Sequence, residues 1–347
     1  MKILYGVCGE GYGHSSRAKE IILHLQSNGH KVLIITYGQA YDILKKFNTL
    51  KVEGISLLFE EEKLSLTKTI IKNIQTLSKD IKNWRKIKRR IDSFNPQICI
   101  SDMELLTPII SYWYNLPLIS IDNQHLLTHT KLKIPKEYAF SSNLAKLTIN
   151  ACVSKANAFI ILSFIKAKTS IKNTYIVAPI LRKEVINIKP KKQNKILVYL
   201  TKPAENLIKL LKSIPEHFII YSSHNEKNRK IDNLELKKLS PSFIQDLANC
   251  KAIIASSGFS LISEALYLKK PYFAIPLKGQ FEQTFNALNL KKSRLGTYSE
   301  NPDKKQIEDF LNYLEKYEKN LKKNSLNPKE ALLTLDKVLF SLAVLLR

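Results

Sequence analysis

At 347 residues the chain is too long for one ordinary hydrophobic core and calls for two domains. Its 44% hydrophobic content excludes a disordered polymer, and 55 Lys+Arg against 30 Asp+Glu give a net charge of +25, which favours nucleotides, nucleic acids or an anionic membrane surface as partners. Cys8, Cys99, Cys152 and Cys250 lie far apart beside apolar runs, so neither a disulfide framework nor a thiolate metal site is expected.

Met1–Val7 is interrupted too early for a secretory leader, and no run reaches about 18 apolar residues, so a cytoplasmic chain is expected. Lys2–Val7 predicts a first strand. Cys8-Gly9-Glu10-Gly11-Tyr12-Gly13-His14 then turns into an apolar-periodic helix through Ile21, Ile22 and Leu25, which stops at Asn28-Gly29. A second strand at Val32–Thr36 completes a βαβ unit with a glycine-rich first turn. The glycine spacing, and the lack of an acidic residue ending the second strand, exclude a dinucleotide fingerprint. His14 stands where turn meets helix, close to the strand ends, and is a candidate general base on a hydroxyl.

Leu64–Phe94 predicts one long helix. Its apolar stripe runs through Ile70, Ile74, Leu77, Ile81, Trp84, Ile91 and Phe94, and its other face, from Lys68 to Arg90, is basic. Such a face suits solvent or anionic lipid. A strand at Gln97–Ser101 ends in Asp102 and Glu104; a carboxylate there caps a helix or joins the site. If Asp102 reaches His14 it orients the imidazole, although no serine elbow accompanies them and hydrolysis is disfavoured. Leu118–Ile121 ends in Asp122-Asn123-Gln124-His125, a polar cluster expected to face the same crevice. His125 and His129 have helical metal-pair spacing but no third ligand, and no metal is expected.

Alternation of strand and helix continues to Tyr175–Ala178. Residues 179–194 read as a hinge and linker that contains Arg182, which could reach a phosphate. Lys195–Leu200 restarts the pattern, followed by a loop at Thr201–Pro203, a helix through Leu207 and Leu211, and a strand at Phe218–Tyr221. Residues 233–240 read as an isolated short strand and loop. The donor-rich turn Ser256-Ser257-Gly258 lies between a buried strand, Ala252–Ala255, and a helix at Ser260–Leu268. Strand, glycine turn and helix N-terminus make an anion site, since backbone N–H groups and the helix dipole both favour negative charge. Glu264 sits one turn into that helix, and Glu282, Gln283 and Asn286 follow a second strand, Tyr272–Ile275, where acidic and amide groups suit hydroxyls. A final helix, residues 327–347, stands apart as a packed element.

With these residues in place the chain resembles the two-domain GT-B glycosyltransferases. In particular it resembles the group with a family 28 type C-terminal domain that contains the peptidoglycan UDP-N-acetylglucosaminyltransferase, and an uncharacterised bacterial and archaeal group of that superfamily. The resemblance spans the glycine loop with His14, the Ser101–Glu104 strand end, Ile121–His125, Ala178–Arg182 and the C-terminal donor box. It implies an α/β fold of two Rossmann-like domains facing across a cleft: an acceptor domain at 1–178 and a donor domain at 195–326. It also implies transfer of a hexosyl or N-acetylhexosaminyl unit from a UDP-sugar to a glycan, lipid-linked or small-molecule acceptor of the cell envelope. No cofactor or nucleic acid is expected, while peripheral contact with an anionic membrane is. His14 is implied as base with Asp102 its partner, and Glu264 as the ribose contact. Ser257, Gly258, Phe259 and Ser260 are implied for the diphosphate, Gly13 and Arg182 are counted among the donor-binding residues, and Glu282 and Gln283 are implied for the donor sugar. Glu10, Glu104, Asn123 and Gln124 would line the acceptor side, and the nucleobase would lie near Leu236–Leu239. A 2-epimerase of the same fold, using Asp102 and Glu104, and a basic membrane- or nucleic-acid-binding protein with a degenerate site are the alternatives.

Overall fold

The computed structural model describes residues 1–54, 59–60, 63–64, 83–191, 193–200, 205–222 and 227–345. Two compact units result: Met1–Ile180 with Asn327–Arg347, and Leu181–Leu326.

In the first unit the strands are β1 (Lys2–Val7), β2 (Lys31–Thr36), β3 (Thr49–Lys51), β6 (Ile98–Asp102), β7 (Leu118–Asp122), β8 (Ala158–Leu162) and β9 (Thr174–Val177). They pair in the order β3-β2-β1-β6-β7-β8-β9, every pair parallel. Their continuous apolar runs are what a sheet covered on both faces requires. A separate two-strand ladder joins β4 (Phe59–Glu60) and β5 (Lys63–Leu64). Leu64 therefore sits in a strand, and the expected helix does not start there. The helices are α1 (Tyr12–Ser27), α2 (Gly38–Leu44), α3 (described over residues 83–94), α4 (Leu106–Trp113), α5 (Leu126–His129) and α6 (Ala139–Cys152). Lys68, Ile70, Lys72, Ile74, Leu77, Lys79, Ile81 and Lys82 fall outside the described residues. Within α3 the apolar face buries Ile87 and Ile91 and leaves Arg85, Lys86, Lys88, Arg89 and Arg90 exposed.

Strand order reverses between β1 and β6. Parallel strands on either side of such a switch send their following loops apart and open a crevice at their carboxyl ends. The register Val7↔Asp102 sets the end of β1 level with that of β6, and Cys8 N–H donates to the Asp102 carbonyl at 3.0 Å. Gly11 caps the start of α1 at φ 79°, a conformation glycine adopts without strain, and Gly9 is pressed against the Tyr37 carbonyl, where a Cβ would stand 2.5 Å away. Together these hold the loop tightly between β1 and α1.

The second unit contains β10 (Ile196–Leu200), β11 (Phe218–Ser222), β12 (Arg229–Ile231), β13 (Leu234–Lys238), β14 (Ala252–Ser256), β15 (Tyr272–Ile275) and β16 (Gly296–Tyr298). Its order is β12-β13-β11-β10-β14-β15-β16, parallel except for β12 against β13. The strand read as isolated at 233–240 is thus an inner strand, paired with β11 and β12. Helices α7 (Lys183–Asn187), α8 (Glu205–Lys212), α9 (Ser242–Asn249), α10 (Phe259–Tyr267), α11 (Phe281–Lys292), α12 (Lys304–Asn312) and α13 (Leu314–Lys323) belong here. The stretch read as linker carries α7, and from Leu181 onward it groups with this unit. The loop at Thr201–Pro203 lies outside the described residues. The switch falls between β10 and β14, which places the turn after β14 at this unit's crevice.

The last helix, α14 (Glu330–Leu345), returns to the first unit and packs on β8 and β9. Ala331, Leu335, Val338, Leu339 and Leu342 are its buried face. Glu330 accepts from Ala178 N–H at 2.8 Å, and Asp336 pairs with His24 of α1 at 2.9 Å. Among the described residues no helix is long and apolar enough to cross a membrane.

Candidate functional site

His14 lies in the first turn of α1 and Asp102 at the end of β6, so the β1–β6 pairing brings them together: His14 Nδ1 is 2.7 Å from Asp102 Oδ1. Asp102 is fully buried, as is the helix face carrying Arg17. Arg17 Nε donates to Asp102 Oδ2 at 2.6 Å, its Nη2 donates to Asp102 Oδ1, and its Nη1 donates to Asn123 Oδ1 at 2.7 Å. Burial works to raise the Asp102 carboxyl pKa, but the adjoining Arg17 and His14 outweigh it and hold the group below the usual carboxylate range. Gln124, after β7, reaches from the other side: its amide nitrogen is 3.4 Å from His14 Nε2. Met103, next to Asp102, has φ 53°, a left-handed strain that recurs at functional strand ends. The resulting cluster can hold an imidazole in one orientation and leave it a lone pair with which to accept a proton.

Several expected members do other work. Glu104 is buried and caps α4, accepting from Leu106 N–H and Thr107 N–H at 2.8 Å each and from the Thr107 hydroxyl at 2.5 Å. It is a cap and not an acceptor-facing group. Asp122 and His125 do not face the crevice either. His125 Nδ1 contacts Asp122 Oδ2 at 2.7 Å and its Nε2 contacts the Val153 carbonyl at 3.0 Å, both buried. Two acceptors need two N–H groups, so this is a buried imidazolium–carboxylate pair. Burial opposes the charge on His125, and Asp122 outweighs that and raises its pKa. The His125–His129 pair is therefore committed to packing, with ring centroids 5.1 Å apart. Among the described residues no group of three His, Cys, Asp or Glu side chains gathers to hold a metal. Glu10 is exposed and Gly13 half-buried in the first turn of α1.

In the second unit β14 ends at Ser256, and α10 begins at Phe259 with Gly258 as its N-cap, which has no side chain to satisfy the helix end. Gly258 has φ −65°, open to any residue, and a Cβ built there meets nothing within 4 Å. Among the described residues nothing requires glycine at 258. The Ser257 hydroxyl is fully buried and lacks a partner among the described residues. Gln283 and Asn286, on α11, brace this turn: Gln283 Oε1 accepts from Ser257 N–H at 3.2 Å and from Leu277 N–H at 3.1 Å, and the Asn286 amide donates to the Ser257 carbonyl at 3.0 Å. The carbonyl oxygen of Gln283 is thus occupied in shaping the loop, contrary to the expected sugar contact. Glu282 is exposed beside it, and Ser260 is half-buried in the first turn of α10. Arg182 engages Glu264, with Nε and Nη2 each 2.6 Å from a carboxylate oxygen, so both members of that pair, expected to serve phosphate and ribose, hold one another here.

Sequence reasoning passed over Arg17. The available signal was its spacing: residues three apart on a helix share a face, so Arg17 had to stand beside His14.

Solved structures similar to the chain include CalG4, the calicheamicin glycosyltransferase, at 14% identity and TM-score 0.68 over 99% of this chain and 98% of that one. The spinosyn rhamnosyltransferase SpnG matches at 14% identity and TM-score 0.65 over 97% and 99%. These likenesses show the GT-B fold. An uncharacterized glycosyltransferase of Methanosarcina acetivorans is 23% identical over 335 residues, 87% of each chain. A second, from Methanosarcina mazei, is 28% identical over 130 residues, 36% of this chain and 33% of that one. Residues 1–315 match the family described as glycosyl transferase family 1, and the chain belongs to that family of GT-B glycosyltransferases.

Proposed function

We propose that the protein transfers a sugar from a nucleoside diphosphate donor to an acceptor hydroxyl with inversion, His14 acting as base. The observation that carries this reading is the 2.7 Å contact between His14 Nδ1 and Asp102 at the β1–β6 switch. His14 Nε2 takes the hydroxyl proton while that oxygen bonds to the anomeric carbon. The bond from that carbon to the diphosphate oxygen breaks, and the nucleoside diphosphate leaves with the electron pair. Asp102 orients the ring and accepts from the imidazolium.

The donor is assigned to the turn Ser257–Ser260 and the N-terminus of α10, where backbone N–H groups and the dipole receive the diphosphate. Among the described residues the buried hydroxyl of Ser257 has no partner and a Cβ at Gly258 meets nothing within 4 Å, which supports this. SpnG has been solved with thymidine diphosphate, which supports a nucleoside diphosphate; a UDP-linked hexosyl or N-acetylhexosaminyl donor and a cell-envelope glycan acceptor remain our preferred choices on the family 28 resemblance. No metal is required, the charge being met by the helix end and basic side chains. The epimerase alternative loses support, because Glu104 caps α4 and Arg17 occupies Asp102. A thermal-shift screen against UDP- and dTDP-sugars tests the donor assignment: stabilisation that rises with concentration is expected, and none with any nucleotide would reject it.

We also assign a peripheral membrane contact to α3 in a cytoplasmic protein. Its exposed cations share the helix with Trp84, which meets Trp113 edge-on at 5.0 Å, and Trp113 remains 60% exposed. Co-sedimentation with phosphatidylserine vesicles, lost in 0.5 M salt at roughly a 4–5 Å screening length, is the expected result.

A further inference from the structure

We propose that Arg17 is a positioning residue that fixes the tautomer of His14, acting through Asp102. The inference rests on the reading of His14 as the base. His14 Nδ1 is faced by two groups with opposite demands: Asp102 Oδ1 at 2.7 Å, which can only accept, and Arg17 Nη2 at 2.9 Å, which can only donate. One ring nitrogen cannot satisfy both. If Arg17 donated to Nδ1, the ring proton would sit on Nε2 and no lone pair would be left there for a substrate hydroxyl.

Gln124 decides between the two. Its Oε1 accepts from Asn123 N–H at 3.2 Å, so the amide NH2 is the group facing His14 Nε2, and a donor there calls for a lone pair. The proton is then on Nδ1 and goes to Asp102. Arg17 secures that acceptor, since Nε and Nη2 grip both oxygens and keep Asp102 a carboxylate, while Nη1 on Asn123 ties the grip to the loop that carries Gln124. The guanidinium itself is held protonated: burial opposes its charge and Asp102 outweighs that.

Around His14, Asp102 and Arg17 face Nδ1 and Gln124 faces Nε2. Tyr5 on β1, Cys8 after it and Asp122 on β7 act at longer range on Arg17 or Asp102. In other His–Asp pairings the carboxylate is free to stabilise the imidazolium. Here it is already matched by a buried cation, which keeps it oriented toward Nδ1.

The test is long-range proton–nitrogen NMR of the imidazoles in the full 15N-labelled chain, with His14→Gln assigning the signal. In the wild type His14 should carry its proton on Nδ1. In Arg17→Gln, where the fork no longer secures Asp102, a second population with the proton on Nε2 should appear. Arg17→Lys keeps a cation beside Asp102 and should retain the proton on Nδ1. A wild-type proton on Nε2, or an Arg17→Gln chain with the wild-type tautomer alone, would overturn the proposal. Should Arg17→Gln fail to fold, the wild-type tautomer decides alone. None of these readouts depends on turnover, so full activity in His14→Ala would remove the base and leave this result standing.

Discussion

Arg182 and Glu264 grip one another through two parallel bonds, both 2.6 Å, with Glu264 buried on α10 and Arg182 just before α7. A ribose hydroxyl seeking Glu264 must share it with that fork. Loss of either residue should therefore weaken the same site. We expect Glu264→Ala and Arg182→Ala each to lower UDP or dTDP affinity by about tenfold, the cost of one charged hydrogen bond. The double variant should be little worse than either single one, since the two are coupled. Calorimetry that finds the two losses additive would separate the residues.

Gly258 gives a sharper test of the donor turn. At φ −65° alanine fits the backbone, and a Cβ meets no neighbour among the described residues. Gly258→Ala should leave the thermal midpoint unchanged or raise it, by an amount corresponding to about 0.4–1 kcal/mol. Nucleotide affinity should nevertheless fall, because the methyl enters the space assigned to the diphosphate. A variant that binds as well as the wild type would move the donor elsewhere.

Helix α14 belongs to the core of the first unit, although it is distant from that unit in sequence. Removing residues 327–347 uncovers the strands that Leu335, Leu339 and Leu342 pack against, each such side chain contributing about 1.5–3 kcal/mol when buried. The truncated chain should lose the folded first unit in hydrogen exchange while the second unit stays protected. Asp336→Ala alone should cost under about 1 kcal/mol, since both partners in its His24 pair are partly exposed.

Much of this was legible in the sequence. Apolar runs such as Ala252–Ala255, the glycine turns and the helix stops follow from local chemistry, and the sequence already set His14 just past β1 and Asp102 at the end of β6, their meeting conditional on how those strands paired. The rest depended on long-range partners. Glu104 reads as an acidic strand end, and only the fold of Leu106 and Thr107 onto it reveals a cap. Gln283 reads as a hydroxyl binder until Ser257 and Leu277 take its oxygen. Arg182 and Glu264 are 82 residues apart, and no local pattern links them.

The histidines give opposite pH signatures. Burial, followed by the nearby His125, lowers the His129 pKa to about 4. A histidine kept neutral by the fold contributes stability that is complete above its unfolded value, about 6.5, and lost as pH falls toward 4. His125, raised by Asp122 against burial, contributes below that unfolded value and loses its part as pH rises through its folded one. Thermal midpoints should drop between pH 6.5 and 4, and His129→Asn should flatten that segment of the curve. An identical slope in the variant would assign the loss to other groups.

Removal of the acceptor proton is the step proposed for His14. It is tested most directly by single-turnover transfer from the donor sugar identified in the thermal-shift screen, measured in His14→Ala beside nucleotide affinity. The transfer rate should fall about a hundred- to ten-thousandfold with affinity unchanged. Wild-type transfer in His14→Ala would contradict that role.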